Sequence, residues 1–372
     1  MKTAWSSFLL LMATTSLLGQ GIEDRLFKAG FENVQVLEKK DSLEVFFEHR
    51  EFRSPYHSMH YAGLLLEGQV QKTIVWRPLY HNKPVGGYLQ DFYSFVKLDK
   101  EARQFFKQNN KPWNGYRIQL RLFPNFAARF GYYEQPFQTR LDLILDTRLY
   151  LAPGLSLQTG IKFPVQNSLD ENNAVVLAPT MLHYFMQPVN KHFVALSLGT
   201  FYYDRYGLDI QYRYAPLEQR WSFGLEAGLT GYYQVYSDHY SSSDLSIVHA
   251  VVDAEYRLPF ENLSLKLSAG RFIFEDNGAR LDIIKQYGNV DIGLYAARTT
   301  SGSTIGFQFA LPISPGSIYR TKKLELRTPA EFRWEYSYNN EQPVARKYRL
   351  GMPRLADMLR QYNGNFIKNL SR

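Results

Sequence analysis

The chain has 372 residues, enough for one large domain or two ordinary ones, with 27 Tyr, 26 Phe, no Cys and a formal net charge of +8. The missing thiols exclude disulfides, thiolate metal sites, cysteine nucleophiles and a lipidated-cysteine anchor. The charge suits contact with acidic sugars or anionic lipid headgroups, and no basic helix with interleaved aromatics argues for a nucleic-acid partner.

In chain order, Lys2 and the apolar run Phe8 to Leu18 read as a secretory signal over 1–20, too short to span a bilayer. The next stretch, 21–110, predicts a small α+β domain, periplasmic once the chain is exported. It has a helix over Ile22 to Phe31 and a hairpin of Val34 to Leu37 with Leu43 to Phe47. Ser54-Pro55 opens a second helix that Gly68 stops. Thr73 to Trp76 and Gly87 to Phe92 predict strands, Asp99 caps a helix over Lys100 to Lys107, and Lys107 to Lys111 reads as a linker. His49, His57 and His60, near Glu48 and Glu51, lack zincin spacing and are expected to be solvated.

From Tyr116 the pattern becomes long apolar/polar alternation. In Phe137 to Leu151, Leu141, Leu143, Leu145, Leu149 and Leu151 share one face, and Arg140, Asp142, Asp146 and Arg148 share the other. Leu155 to Val165, Val175 to Gln187, His192 to Asp204, Leu208 to Ala215, Trp221 to Tyr236 and Leu245 to Leu258 continue it. Four more strands fill Leu263 to Ile313, with turns expected at Asn277-Gly278, Gly288-Asn289 and Ser301-Gly302. Leu265, Leu267 and Ala269 fall out of phase with Phe272 and Phe274, which predicts a β-bulge or kink within Ala269 to Arg271. Glu331 to Tyr338 and Arg346 to Leu350 can add one or two strands. Pro353 to Gln361 reads as a short amphipathic helix within a tail, 341–372, destined for the periplasm or the barrel interior.

Strands of roughly ten to fifteen residues exceed the usual five or six of soluble sheets. Their one-wet-face pattern, with Tyr and Phe near strand ends, predicts a mainly β protein: a transmembrane antiparallel β-barrel of about 12–14 strands over 115–340. Its apolar face would meet outer-membrane lipid. Arg140, Asp142, Arg148, Asp253, Glu255, Arg257, Arg280 and Asp282 would then face the lumen, together with Asp146, Lys162, Asp209, Arg213, Glu226 and Asp291. Mixed signs favour mutual bracing, and a polar track for sugar hydroxyls or acidic saccharide groups is the functional alternative. Asp253 and Glu255 have the spacing to share a strand face as a glycosidase-type pair. Alternating charge supplies such pairs by chance, however, and no catalytic, metal or cofactor fingerprint occurs. The reading is a non-enzyme without cofactors.

The segment FENVQVLEKKDSLEVFFEHREFRSPYHSMHYAGLLLEG, followed by VWRPLYHNKPVGG, resembles the small α/β domain of the YjbH/GfcD exopolysaccharide-biosynthesis family. A later segment resembles that family's barrel through Gly270, Arg271, Phe272, Asp276, Gly278, Gly293 and Pro312. The two cover about a third of the chain, which is similar to members with a second barrel half removed. The resemblance implies a Gram-negative outer-membrane protein that assists secretion or assembly of an extracellular polysaccharide. Its implied partners are outer-membrane lipid, the polysaccharide, and periplasmic or lipoprotein components of an export system. An accessory barrel for protein secretion or envelope organisation is the alternative, and a carbohydrate-active enzyme is a more distant one.

Overall fold

A computed structural model describes residues 19–130, 136–169, 173–202, 204–235, 239–313, 318–338, 343–347 and 354–371. The expected export signal lies, up to residue 18, outside the described residues, as do 348–350 of the expected strand at Arg346 to Leu350.

The N-terminal part is a five-stranded sheet covered by helices. Helix α1 (19–28) precedes strands β1 (Glu32–Glu38) and β2 (Ser42–Glu48), then α2 (Pro55–Leu66), β3 (Thr73–Tyr80), β4 (Lys83–Pro84) and β5 (Tyr88–Leu89). Helix α3 (Lys100–Asn109) closes the unit. β2 pairs antiparallel with β1 and parallel with β3, and β3 carries β4 and β5. Both faces of β2 are buried. One packs Val45 and Phe47 with Leu26, Phe31, Met59 and Trp76, and the other packs Phe46 with Leu79, Ala102 and Phe106. Asp99 caps α3 by accepting from the Ala102 N–H at 2.8 Å, which satisfies a donor the helix leaves open. The expected strand at Gly87 to Phe92 shrinks to Tyr88–Leu89, because Phe92 and Tyr93 take positive φ and turn the chain.

The remaining strands form a single 17-stranded sheet, and the chain is mainly β. They are β6 (Ile118–Phe130), β7 (Phe137–Ala152), β8 (Leu155–Asn167), β9 (Val176–Leu177), β10 (Met181–Val189), β11 (His192–Phe201), β12 (Arg205–Tyr214) and β13 (Trp221–Val235). Then come β14 (Tyr240–Ser242), β15 (Ile247–Arg257), β16 (Leu263–Arg271), β17 (Asn277–Tyr287), β18 (Val290–Thr299) and β19 (Gly302–Leu311). β20 (Tyr319–Arg320), β21 (Leu324–Arg327) and β22 (Phe332–Tyr338) complete it. β8 is bonded to β7 and to β10, and an antiparallel path runs from β10 to β19 and on to β22.

β21 then pairs with β6, and this pairing is parallel rather than the antiparallel one expected. β22 lies beside the second half of β6, where Trp334 Nε1 donates to the Phe126 carbonyl at 3.1 Å and Tyr336 meets Phe130.

Three further expectations fail. Val175 to Gln187 is two strands, since Pro179 has no N–H for a ladder. Asn277-Gly278 belongs to β17, and the turn before it is Phe272 to Asp276, closed by the Phe272 N–H donating to the Asp276 carbonyl at 2.9 Å. No bulge interrupts Ala269 to Arg271: the ladder runs straight through on both sides, with Gly270 opposite Val251 and Gly278. The phase change arises because β16 ends at Arg271. Phe272 then turns in against Val251, Ala297, Val344 and Ala345, while Ile273 meets Met181 and Phe201.

Candidate functional site

The large sheet is inverted relative to a water-soluble one. On β16, Lys266 and Ser268 are 3 % and 1 % exposed, and Leu267 between them is 55 % exposed. On β17, Asp282 is fully buried between the exposed Leu281 and Ile283. Period-two alternation therefore delivers most charges of the long strands to one buried face, with Arg129, Arg271, Lys285 and Arg298 on the other.

Ion pairs and hydrogen bonds fill that face. Arg121 grips Asp146 through two bonds of 2.9 and 2.7 Å, and Gln158 adds a third at 3.0 Å. Arg140 and Asn125 both donate to Asp142. Arg213 reaches Asp253 at 2.8 Å and Glu255 at 3.4 Å. Arg280 lies 3.6 Å over the Tyr295 ring, donates to Asp282 at 2.7 Å and to Glu335 at 2.9 Å, and Lys347 takes the other oxygen of Asp282. Asp291 accepts from Arg53, at the start of α2, at 2.6 Å. Lys162 and Arg140 are half-buried beside a cavity of about 470 Å³. Asp209, Glu226 and His249 converge closely enough to hold a cation, but Arg354 already bonds Glu226 and Gln211 donates to Asp209.

The tail supplies partners that the alternation pattern does not reveal. Helix α4 (Leu355–Gln361) lies against the charged face, and α5 (Gly364–Leu370) reaches the N-terminal unit. Arg360 donates to both oxygens of Glu255, at 2.5 and 2.8 Å, and to Asp357 at 2.9 Å. Arg257 bonds the Arg360 carbonyl at 3.1 Å and Gln286 at 2.6 Å. The Leu355 N–H donates to Gln211, and Gln361 to Asp291. Phe366 and Ile367 then enter the core of Leu26, Phe31 and Trp76. The tail thus ties the charged face of the sheet to the N-terminal unit. Arg354 and Arg360 pair with Glu226 and Glu255, more than a hundred positions away in sequence, which no local pattern encodes; the alternation of Asp357 and Arg360 with Leu355, Met358 and Leu359 was the available signal.

Glu48, at the end of β2, organises the junction. It accepts from Tyr116 at 2.6 Å, Tyr150 at 2.5 Å and the backbone N–H groups of His81 and Asn82. Those two residues form the β3–β4 turn with φ of 46° and 60°, as a tight hairpin requires. His81 meets Tyr150 edge-on and His183 at a tilt, and burial together with the Arg148 charge holds it well below the usual imidazole range. Burial also lowers His49, which stacks on Phe31 and bonds Ser58 at 3.0 Å. The expectation of a solvated His49 is overturned: β2 carries it into the core.

Beneath this junction lies a cavity of about 230 Å³ whose lining includes Glu48, Arg50, Arg53, Arg148 and Asp357. Of the eight lumen-facing candidates, Arg148 lines this cavity and Arg140 and Asp142 line the larger one. Asp253, Glu255 and Arg257 meet α4 or its ion pairs, and Arg280 and Asp282 form a separate cluster with Lys347.

Comparison with curated proteins and with solved structures yields no match. Residues 170–310, from just before β9 through most of β19, match the model of the YjbH family, described as exopolysaccharide biosynthesis protein YbjH, and this stretch of the chain is therefore YjbH-like.

Proposed function

We propose that the large sheet is a closed transmembrane barrel of the Gram-negative outer membrane, and that the protein assists secretion or assembly of an extracellular polysaccharide. The YjbH match implies a role in exopolysaccharide biosynthesis. The observation that carries the membrane reading is the inverted sheet: a row of exposed Leu, Ile and Phe, including Leu143, Phe163, Leu198, Leu225, Leu267, Leu294 and Ile305, would be an aggregation surface in water. Lipid removes that cost. No described helix is long and apolar enough to cross a membrane.

The occupied interior favours an assembly or docking role over a wide conducting pore. α4 and Arg53 fill much of the polar face, and the N-terminal unit stands against one end of the sheet, where it can meet periplasmic or lipoprotein partners. A non-enzymatic role fits the candidate carboxylates, since Asp253 and Glu255 are each held by arginine.

The test is a gene deletion with complementation, read by surface polysaccharide, together with fractionation of the mature protein. Loss of polysaccharide with an outer-membrane protein whose gel mobility changes on heating is the expected result. A soluble periplasmic protein without that mobility change overturns the membrane reading. Unchanged amount and composition of polysaccharide moves the role to an accessory barrel.

A further inference from the structure

Arg148 stands apart from the other buried arginines. It projects from β7 onto the polar face, is 7 % exposed, and lines the 230 Å³ cavity. Among the described residues its guanidinium makes no hydrogen bond or ion pair, and its Nε is buried without a partner. A buried cation without a counter-charge is costly, and proteins ordinarily neutralise it with a carboxylate.

The carboxylates lining the cavity are committed elsewhere. Asp146 holds Arg121 and Gln158. Glu48 accepts four donors at the junction. Glu331 is bonded by Arg53 and Arg333, and Asp357 by Arg360. Of the arginines around this void, Arg50, Arg53 and Arg354 also find carboxylates outside the lining, Glu32, Asp291 and Glu226, so that among the described residues Arg148 is the one without an ion pair. Arg333 Nη2 and Arg354 Nη1 are also buried without partners. Gln119 on β6, in register with Arg148, also lines the cavity and offers an amide suited to hydroxyl groups.

We propose that this cavity binds an oxyanion, a carboxylate or phosphate group, with Arg148 as its principal counter-charge. The planar guanidinium fork favours two-oxygen groups of this kind. The oxyanion site stands on the geometry alone; that its natural occupant is the acidic group of a saccharide rests on the function proposed above. In that case the uncommitted arginine marks where the polymer or a lipid-linked fragment engages the protein.

The experiment is calorimetric titration of the full chain, purified in detergent, with glucuronate, with inorganic phosphate and with glucose. Binding of glucuronate or phosphate without glucose is expected, with at least a tenfold loss in Arg148→Gln and a smaller loss in Arg148→Lys. Arg271→Gln, in an exposed ion pair with Glu275, serves as the control and retains wild-type affinity. Glucuronate preferred over phosphate assigns the site to acidic sugar; the reverse assigns it to a phosphate ester or lipid headgroup. Equal affinity for either anion in wild type and Arg148→Gln, or no anion binding by folded wild type, overturns the proposal. Neither result touches the deletion phenotype, so the two readings fail separately.

Discussion

Arg360 donates to both oxygens of Glu255 and to Asp357, and its own carbonyl accepts from Arg257, so one tail residue neutralises part of a charged sheet face. Removing it leaves Glu255 buried with only the longer contact to Arg213. Arg360→Ala is expected to cost about 3 kcal/mol, at the lower end for breaking a buried pair, read as a fall in the unfolding midpoint of detergent-solubilised protein. Glu255→Gln added to Arg360→Ala recovers part of that loss. Full stability in the single variant rules out the tail as a brace.

His81 gives a pH dependence with a definite sign. Its folded-state affinity for a proton is depressed, whereas in the unfolded chain it titrates near about 6.5. Between those values the unfolded state binds more protons, so stability contributed at neutral pH is lost as pH falls below about 6.5. Arg50, Arg121, Arg148 and His183 all oppose its protonation. His81→Asn, which tolerates the positive φ, is expected to shrink the drop in unfolding midpoint between pH 7.5 and pH 5.5; an unchanged drop assigns the acid sensitivity elsewhere.

At the scale of elements, Gly270 sits at φ +145° within a regular ladder, and a Cβ there would collide with the Ala250 carbonyl. Gly270→Ala is expected to destabilise the protein by about 1–3 kcal/mol, measured by thermal unfolding; a neutral result shows that the ladder can relax there. The sequence marks this glycine as special but misplaces the reason. Alternation counted on past Gly270 demands a bulge, while the strand ends one residue later and Phe272 and Ile273 bury in side clusters that no local pattern encodes.

Elements whose signals are local are well read. The Ser54-Pro55 start of α2, the Asp99 cap of α3 and the alternation of β7 all appear where expected. The parallel meeting of β21 with β6, and the docking of α4 on Glu255, join segments about a hundred or more positions apart and leave no periodic trace. The candidate site follows the same division. Alternation picks out Arg148 and Glu255 as buried polar residues, but only the full set of partners separates the satisfied carboxylate from the uncommitted arginine.

On the scale of the whole molecule, the inverted sheet makes opposite demands in lipid and in water. Leu267 lies between Ala254 and Leu281 on the exposed apolar face. In a bilayer, an arginine there must bring its charge into hydrocarbon, at a cost of about 2–4 kcal/mol near the midplane and less towards the interfaces. In water the same substitution would break an apolar patch and improve solubility. Leu267→Arg is therefore expected to reduce refolding yield into phospholipid vesicles and lower the denaturant midpoint there. Ser268→Ala, one residue away but facing inward, leaves both largely unchanged. An arginine variant that folds in vesicles as well as the parent, or that becomes soluble and monomeric without detergent, places the apolar face in water and removes the physical basis of the barrel reading. The family match would then stand alone, and the exposed leucines would have to be covered by protein instead of lipid.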